Sequence, residues 1–179
     1  AKLDYDDPET YKMLSRGETE GVFQLESSGM KQVLVGLQPQ NLEDVIALIS
    51  LYRPGPMDSI PTYLRNRHEP DKISYKTPQL AHILDVTNGC IVYQEQVMQI
   101  FRELAGFSFG QADNVRRAMS KKKHAVMEAE REHFVHGCTD PGNECPGCVA
   151  NGISEKVANE IYDEMSSFAS YAFNKSHAA

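Results

Sequence analysis

Five cationic side chains, Arg116, Arg117, Lys121, Lys122 and Lys123, fall within eight positions of the stretch NVRRAMSKKKH, in a chain whose formal net charge is −7. Guanidinium forks and ammonium groups at this density can hold a triphosphate or a phosphodiester through charge-assisted, partly bidentate hydrogen bonds. A protein that coats nucleic acid without specificity is basic over a whole face. A concentrated positive spot on an acidic body suits one defined anionic ligand better. The same spacing also fits a solvated helix face on which Asp113 pairs with Arg116 or Arg117 at i+3 and i+4, worth about 0.2–0.5 kcal/mol per pair.

A second group is built from metal-binding residue types. His136, Cys138, Cys145 and Cys148 share one loop, HGCTDPGNECPGC, and Cys145 and Cys148 have the two-residue spacing that zinc ligands use. Four nitrogen and sulfur ligands is the count of a structural zinc site. The short His136 to Cys138 spacing and the lack of a second CxxC fit free thiols of a reducing compartment instead. Near the end of the sequence, Lys175 and His177 follow Tyr171 and Phe173, an arrangement that can touch a sugar or phosphate while an aromatic packs nearby, and one that ordinary surface residues also make. Gln94, Glu95 and Gln96 of YQEQVM stand at a helix start, where a glutamate complements the dipole. Two-metal phosphoryl chemistry requires carboxylates converging on Mg²⁺, typically an Asp-x-Asp on a strand. The sequence offers none in that setting: Asp6 and Asp7 sit at a helix cap, and Glu43 and Asp44 at a helix start. A Walker loop, a nucleophile elbow and a His-Glu-x-x-His are missing too, so the chain reads as a binding part without its own reaction centre.

The elements that position these residues are mostly helices. Asp7, Pro8 and Gly17 punctuate a short first helix. NLEDVIALISLYRPGP begins at an Asn41 cap, carries apolar residues at 42, 45, 46 and 49, and must stop before Pro54. Further helices are expected at 59–67, at 78–84 behind Thr77 and Pro78, and at 93–105, which a short β-like run, GCIVYQ, feeds. Ser108 and Gln111 form a capping box, so the arginine-bearing helix begins near 109. On its wheel Ala112, Val115, Ala118 and Met119 share one side, Arg117 points away and Arg116 flanks it, so both arginines are expected to be presented. After a break at 120–123, two more helices are joined by the cysteine loop. Weak strand signals near 22–25 and 90–93 leave the class mainly α.

Length and composition are consistent with one globular domain: 179 residues, 41% of them hydrophobic. The four cysteines are too few and too bunched for a disulfide framework. No apolar run approaches the roughly 18 residues of a membrane span, and the first 25 residues are acidic, unlike a signal peptide, so a cytoplasmic protein with no membrane partner is expected. A start at Ala1 and an end at Ala179 in mid-pattern suggest a piece of something longer.

Five stretches, GVFQLESSGM (21–30), EDVIALISLYRPGPM (43–57), GCIVYQEQVM (89–98), AGFSFGQADNVRRAMSKKK (105–123) and FASYAFNKSHAA (168–179), resemble in order and spacing the bacterial DNA polymerase III alpha subunit, the C-family replicative polymerase. The resemblance covers nearly the whole chain. It implies that residues 1–179 are a helical fingers-domain segment, and that the catalytic aspartates and their Mg²⁺ lie in a palm domain upstream. By the same resemblance Arg116 and Arg117, with Lys121 beside them, bind the triphosphate of the incoming dNTP. Lys175 and His177, with Arg53, Tyr93 and Gln94, contact nucleotide or template. The implied partners are dNTP, a DNA primer-template, the remaining domains of the subunit, and replisome subunits such as the sliding clamp, reached through regions outside this segment. The segment alone is expected to be inactive. The loop at 135–152 departs from the family, in which this junction is often shorter and usually lacks clustered cysteines, so zinc there would be a lineage-specific brace. The rival reading is a non-catalytic helical nucleic-acid-binding or adaptor module, zinc-braced or not.

Overall fold

Short local signals set the helix boundaries in the computed structural model, which describes residues 5–121, 123–168 and 171–179. Along the chain lie α1 (Pro8–Ser15), α2 (Ser28–Leu37), α3 (Leu42–Leu51), α4 (Ile60–His68), α5 (Ala81–Leu84), α6 (Gln94–Ala105), α7 (Phe109–Ser120), α8 (His124–His136), α9 (Gly147–Ala150), α10 (Glu155–Phe168) and α11 (Lys175–Ala178), with short 3-10 turns between some of them. The mainly α class holds, and β structure among the described residues is confined to two isolated bridges. None of the described helices is long and apolar enough to cross a membrane.

The expected caps are in place. The Asp7 carboxylate accepts the N–H groups of Glu9 and Thr10 ahead of Pro8. Asn41 Oδ1 accepts from Asp44 N at 2.9 Å. Each satisfies a backbone donor that the helix itself leaves without a partner. The expected helix at 78–84 is instead a 3-10 turn, Pro78–Leu80, followed by the single turn of α5. Helix α2 is not among the expected helices; Ser27 caps it through Met30 N, and Met30, Leu34 and Leu37 line its buried face. The strand signal at 22–25 folds as turns, with Gln24 in the left-handed region.

Two apolar cores divide the molecule. One gathers α1 to α4, with Leu34, Leu48, Leu51 and Tyr63 at its centre. The other gathers α5 to α10 around Phe101, Phe107, Phe134 and Tyr162, whose rings meet edge-on, tilted or stacked at centroid distances of 5.2–6.4 Å. The β-like run joins them. Cys90 and Val92 enter the first core while Ile91 enters the second, the alternation an extended backbone imposes. Gln96 then secures the turn into α6. Its buried carboxamide accepts from Val92 N and Tyr93 N, both at 2.9 Å, and donates to Ile83 O and Thr87 Oγ1. A buried amide with this many partners is satisfied rather than penalised.

Candidate functional site

Helix α7 begins where the capping box placed it. Gln111 N donates to Ser108 Oγ at 3.2 Å and Ser108 N to Gln111 Oε1 at 2.7 Å. Ala112, Val115, Ala118 and Met119 are buried, which turns the opposite face outward. The Arg117 side chain is 64% exposed, but that of Arg116 is only 18% exposed, so the expectation that both are presented holds for Arg117 alone. The difference lies in Asp113. Its Oδ1 accepts from Nε and Nη2 of Arg116 at 3.1 and 2.7 Å, folding that arginine along the helix, while Oδ2 meets Arg117 Nη2 at 2.6 Å. These hydrogen bonds, Arg116 first, hold the Asp113 carboxyl below its ordinary value. Lys121 caps the helix and is exposed. Lys122 lies outside the described residues.

A second assembly forms from segments far apart in sequence. Gln94 N donates to Phe173 O at 2.9 Å and Phe173 N to Val92 O at 3.3 Å, a parallel bridge that lays the C-terminal segment beside the YQEQ turn. Gln94 Nε2 adds a bond to Ala172 O. Arg53 clamps the same segment, donating from Nη2 to Tyr171 O at 2.7 Å and from Nε to Ser50 O at 3.2 Å, with its guanidinium 4.1 Å from the centre of the Phe173 ring. Partial burial lowers the Arg53 pKa from its ordinary value. Gly55, at φ +103°, lets the Tyr171 ring pass where a Cβ would stand 2.7 Å from it. Gly29 does the same for α2 and Tyr52, since a Cβ there would stand 2.0 Å from the Tyr52 hydroxyl.

Lys175 pairs with Glu43 at 2.7 Å and reaches over the Tyr93 ring at 5.5 Å. His177 is exposed and its ring lies 5.3 Å from that of Phe173. Tyr93 is 2% exposed, and its hydroxyl has no hydrogen-bond partner among the described residues; burial raises its pKa. Arg53, Tyr93 and Gln94, expected from the resemblance to contact nucleotide or template, are thus occupied here with holding residues 171–178. Beside them opens a cleft of about 490 Å³, lined by Phe23, Tyr52, Arg53, Phe173 and His177 among others. Four of the five stretches quoted above therefore meet around one place. The fifth, on α7, packs against α6 and α8 in the other core, and no described contact joins its arginines to the cleft.

Sequence reasoning missed two contributors. Glu95, read as a dipole partner, accepts from Asn174 Nδ2 at 3.0 Å and from Lys175 N at 3.3 Å, so it caps α11 from across the chain. Phe23, 81% exposed on the rim of the cleft, gives no periodic signal because it stands in a turn.

The cysteine loop is arranged differently from its spacing. Cys138 and Cys145 exchange both backbone hydrogen bonds at 2.9 Å. Cys145 Sγ points to His133 O at 3.6 Å, and Cys148 is fully enclosed in the core, where burial pushes its thiol up to about 12. His136 Nε2 faces Glu155 and Glu132 at 3.8 and 3.9 Å. No three of His136, Cys138, Cys145 and Cys148 bring ligand atoms within 4.8 Å of one another. The ligand atoms that do come together among the described residues belong to His133, Cys138 and Asp140.

These features define a helical module that presents a carboxylate-anchored arginine on one capped helix and closes its C-terminal segment over an Arg-Pro-Gly-Pro turn. Residues 1–142 match the family model described as the bacterial DNA polymerase III alpha subunit finger domain. The chain is 48% identical over 177 residues to the DNA polymerase III subunit alpha of Staphylococcus aureus, and 47% identical over 176 residues to that of Staphylococcus epidermidis. Those alignments cover 99% and 98% of this chain and 16% of each relative. The chain belongs to the bacterial DNA polymerase III alpha subunit family, in its fingers region.

Proposed function

We propose that residues 1–179 act as the fingers segment of a bacterial replicative DNA polymerase and bind the triphosphate of the incoming dNTP while the nascent base pair is assembled. The supporting observation is Arg117, held by Asp113 on the exposed face of α7 in a region that matches the fingers family. A guanidinium anchored at one side loses little freedom when phosphate arrives and keeps donors for it. Arg116 steadies Asp113, and Lys121 adds positive charge at the end of the helix. Positive groups aimed at the phosphates offset the charge that develops during nucleotidyl transfer. Mg²⁺ would be held by carboxylates of another domain of the same subunit, so this segment binds and orients without extending a primer by itself. Its partners would be primer-template, dNTP, the other domains and, through regions outside this segment, the sliding clamp. The setting would be the bacterial cytoplasm.

Hydrogen exchange on the full-length polymerase tests this reading. With primer-template present, adding the next correct dNTP should slow exchange in residues 109–121, and an incorrect dNTP should do so less. Unchanged exchange throughout α7 on addition of the correct dNTP would remove the triphosphate from this helix.

A further inference from the structure

A metal-ligand cluster at the end of α8 is not accounted for by dNTP binding. One ligand atom each from His133, Cys138 and Asp140 lies within 4.8 Å of the other two. Around a tetrahedral zinc such atoms stand roughly 3.5 Å apart, so small side-chain rotations close the set. We propose that His133, Cys138 and Asp140 bind one borderline divalent transition-metal ion of the Zn²⁺ type, with water in the fourth position.

The chemistry of the set is matched to that ion. Imidazole nitrogen, thiolate sulfur and carboxylate oxygen are the three donor types Zn²⁺ accepts, and the two anions balance its charge. The three residues come from the last turn of α8, the bridged residue and the turn that follows, which places a whole site within eight positions. The surroundings support it. Asp140 N lies 3.5 Å from Cys138 Sγ, the backbone donor that steadies a thiolate. Glu130 Oε2 lies 3.4 Å from His133 Nδ1, a carboxylate placed to hold the ring of a ligating histidine. The paired backbone bonds between Cys138 and Cys145 fix the middle ligand in place. The ion would pin the C-terminal end of α8 to the loop. His136 and Cys148 offer no ligand atom to this cluster, whose three members are His133, Cys138 and Asp140.

The test uses the full-length polymerase, stripped with chelator and dialysed against Zn²⁺ or Co²⁺. Wild type should bind about one equivalent more than Cys138→Ser, His133→Asn or Asp140→Ala, while His136→Asn and Cys148→Ala should keep that equivalent. The Co²⁺ difference spectrum, wild type minus Cys138→Ser, should carry the charge-transfer intensity of one thiolate. Asp140 is exposed, so its alanine variant reads the site even where the cysteine variant folds poorly; metal-free melting of the two chains should then coincide. Equal binding by wild type and Asp140→Ala overturns the proposal. Loss of the ion in His136→Asn and Cys148→Ala, with the intensity of three thiolates, also overturns it and moves the metal to the other ligand set.

Discussion

Replacing Arg53 by alanine should release the C-terminal segment from the cleft while leaving both cores folded. The side chain makes two hydrogen bonds from a charged donor to carbonyls, Tyr171 O and Ser50 O, and stacks on Phe173. Such bonds are worth about 1.5–3 kcal/mol each when shielded and less where water reaches them, and the stacking adds about 0.5–2 kcal/mol. Discounting for the exposed end of the guanidinium, the clamp contributes on the order of 2–4 kcal/mol to closure of residues 171–178. Every 1.4 kcal/mol is about tenfold, so the amides of Phe173 and Gln94, which form the bridge, should exchange about 30-fold faster or more in the full-length Arg53→Ala chain. Arg53→Lys should recover less than half of the effect, because one ammonium cannot span both carbonyls and the ring. Hydrogen exchange with peptide-level mass spectrometry reads this directly. Unchanged protection at Gln94 and Phe173 would refute the clamp, and so would a loss spread equally over α6 and α10, which would mean global unfolding.

Three further outcomes follow from the same contacts. Gly29→Ala places a methyl 2.0 Å from the Tyr52 hydroxyl and should destabilise by about 1–3 kcal/mol despite alanine's better helix propensity; adding Tyr52→Phe leaves the nearest ring atom at 3.1 Å and should restore most of the loss in a thermal melt. In chelator-treated protein at pH 8, iodoacetamide should label half-buried Cys138 first, because burial pushes Cys90 up to about 11 and Cys148 up to about 12; equal labelling of all three before unfolding would contradict their placement. Glu95→Ala removes the cap that Asn174 and Lys175 use and should cost about 1 kcal/mol locally, seen as faster exchange at 174–178 with α6 unchanged beyond its first turn.

Much of the secondary structure was legible because its signals are local. Ser108 and Gln111 fixed the start of α7, Asn41 that of α3, and Pro54 the end of α3. Helix α2 was legible in principle, with a serine cap and apolar residues at 30, 34 and 37, but its short glycine-containing stretch gave propensity little to act on. The assembly around the cleft was not legible, since Arg53 and Tyr171 are 118 positions apart and nothing in either neighbourhood announces the other. On a wheel Arg117 points away from the apolar face and Arg116 flanks it, which leaves both outside the core. What separates them is that one Asp113 oxygen takes two donors of Arg116 and draws it along the helix. In the cysteine loop, spacing suggested four ligands, yet ligand spacing says nothing of side-chain direction. The bridge between Cys138 and Cys145 and the pull of the core on Cys148 decided that.

Single-turnover incorporation by the full-length polymerase tests most directly the triphosphate contact proposed for Arg117 of α7. Arg117→Ala removes one charge-assisted contact worth roughly 1.5–3 kcal/mol, so kcat/KM should fall by about 10- to 150-fold. The fall should be similar for all four dNTPs, because phosphate carries no sequence information. Arg117→Lys should rescue in part, and the melting temperature should hardly change, since a surface pair with Asp113 contributes at most a few tenths of a kcal/mol, about 0.3–0.5. Unchanged incorporation kinetics in Arg117→Ala, or a loss that tracks unfolding, would contradict the account and return the cluster to a solvated helix face.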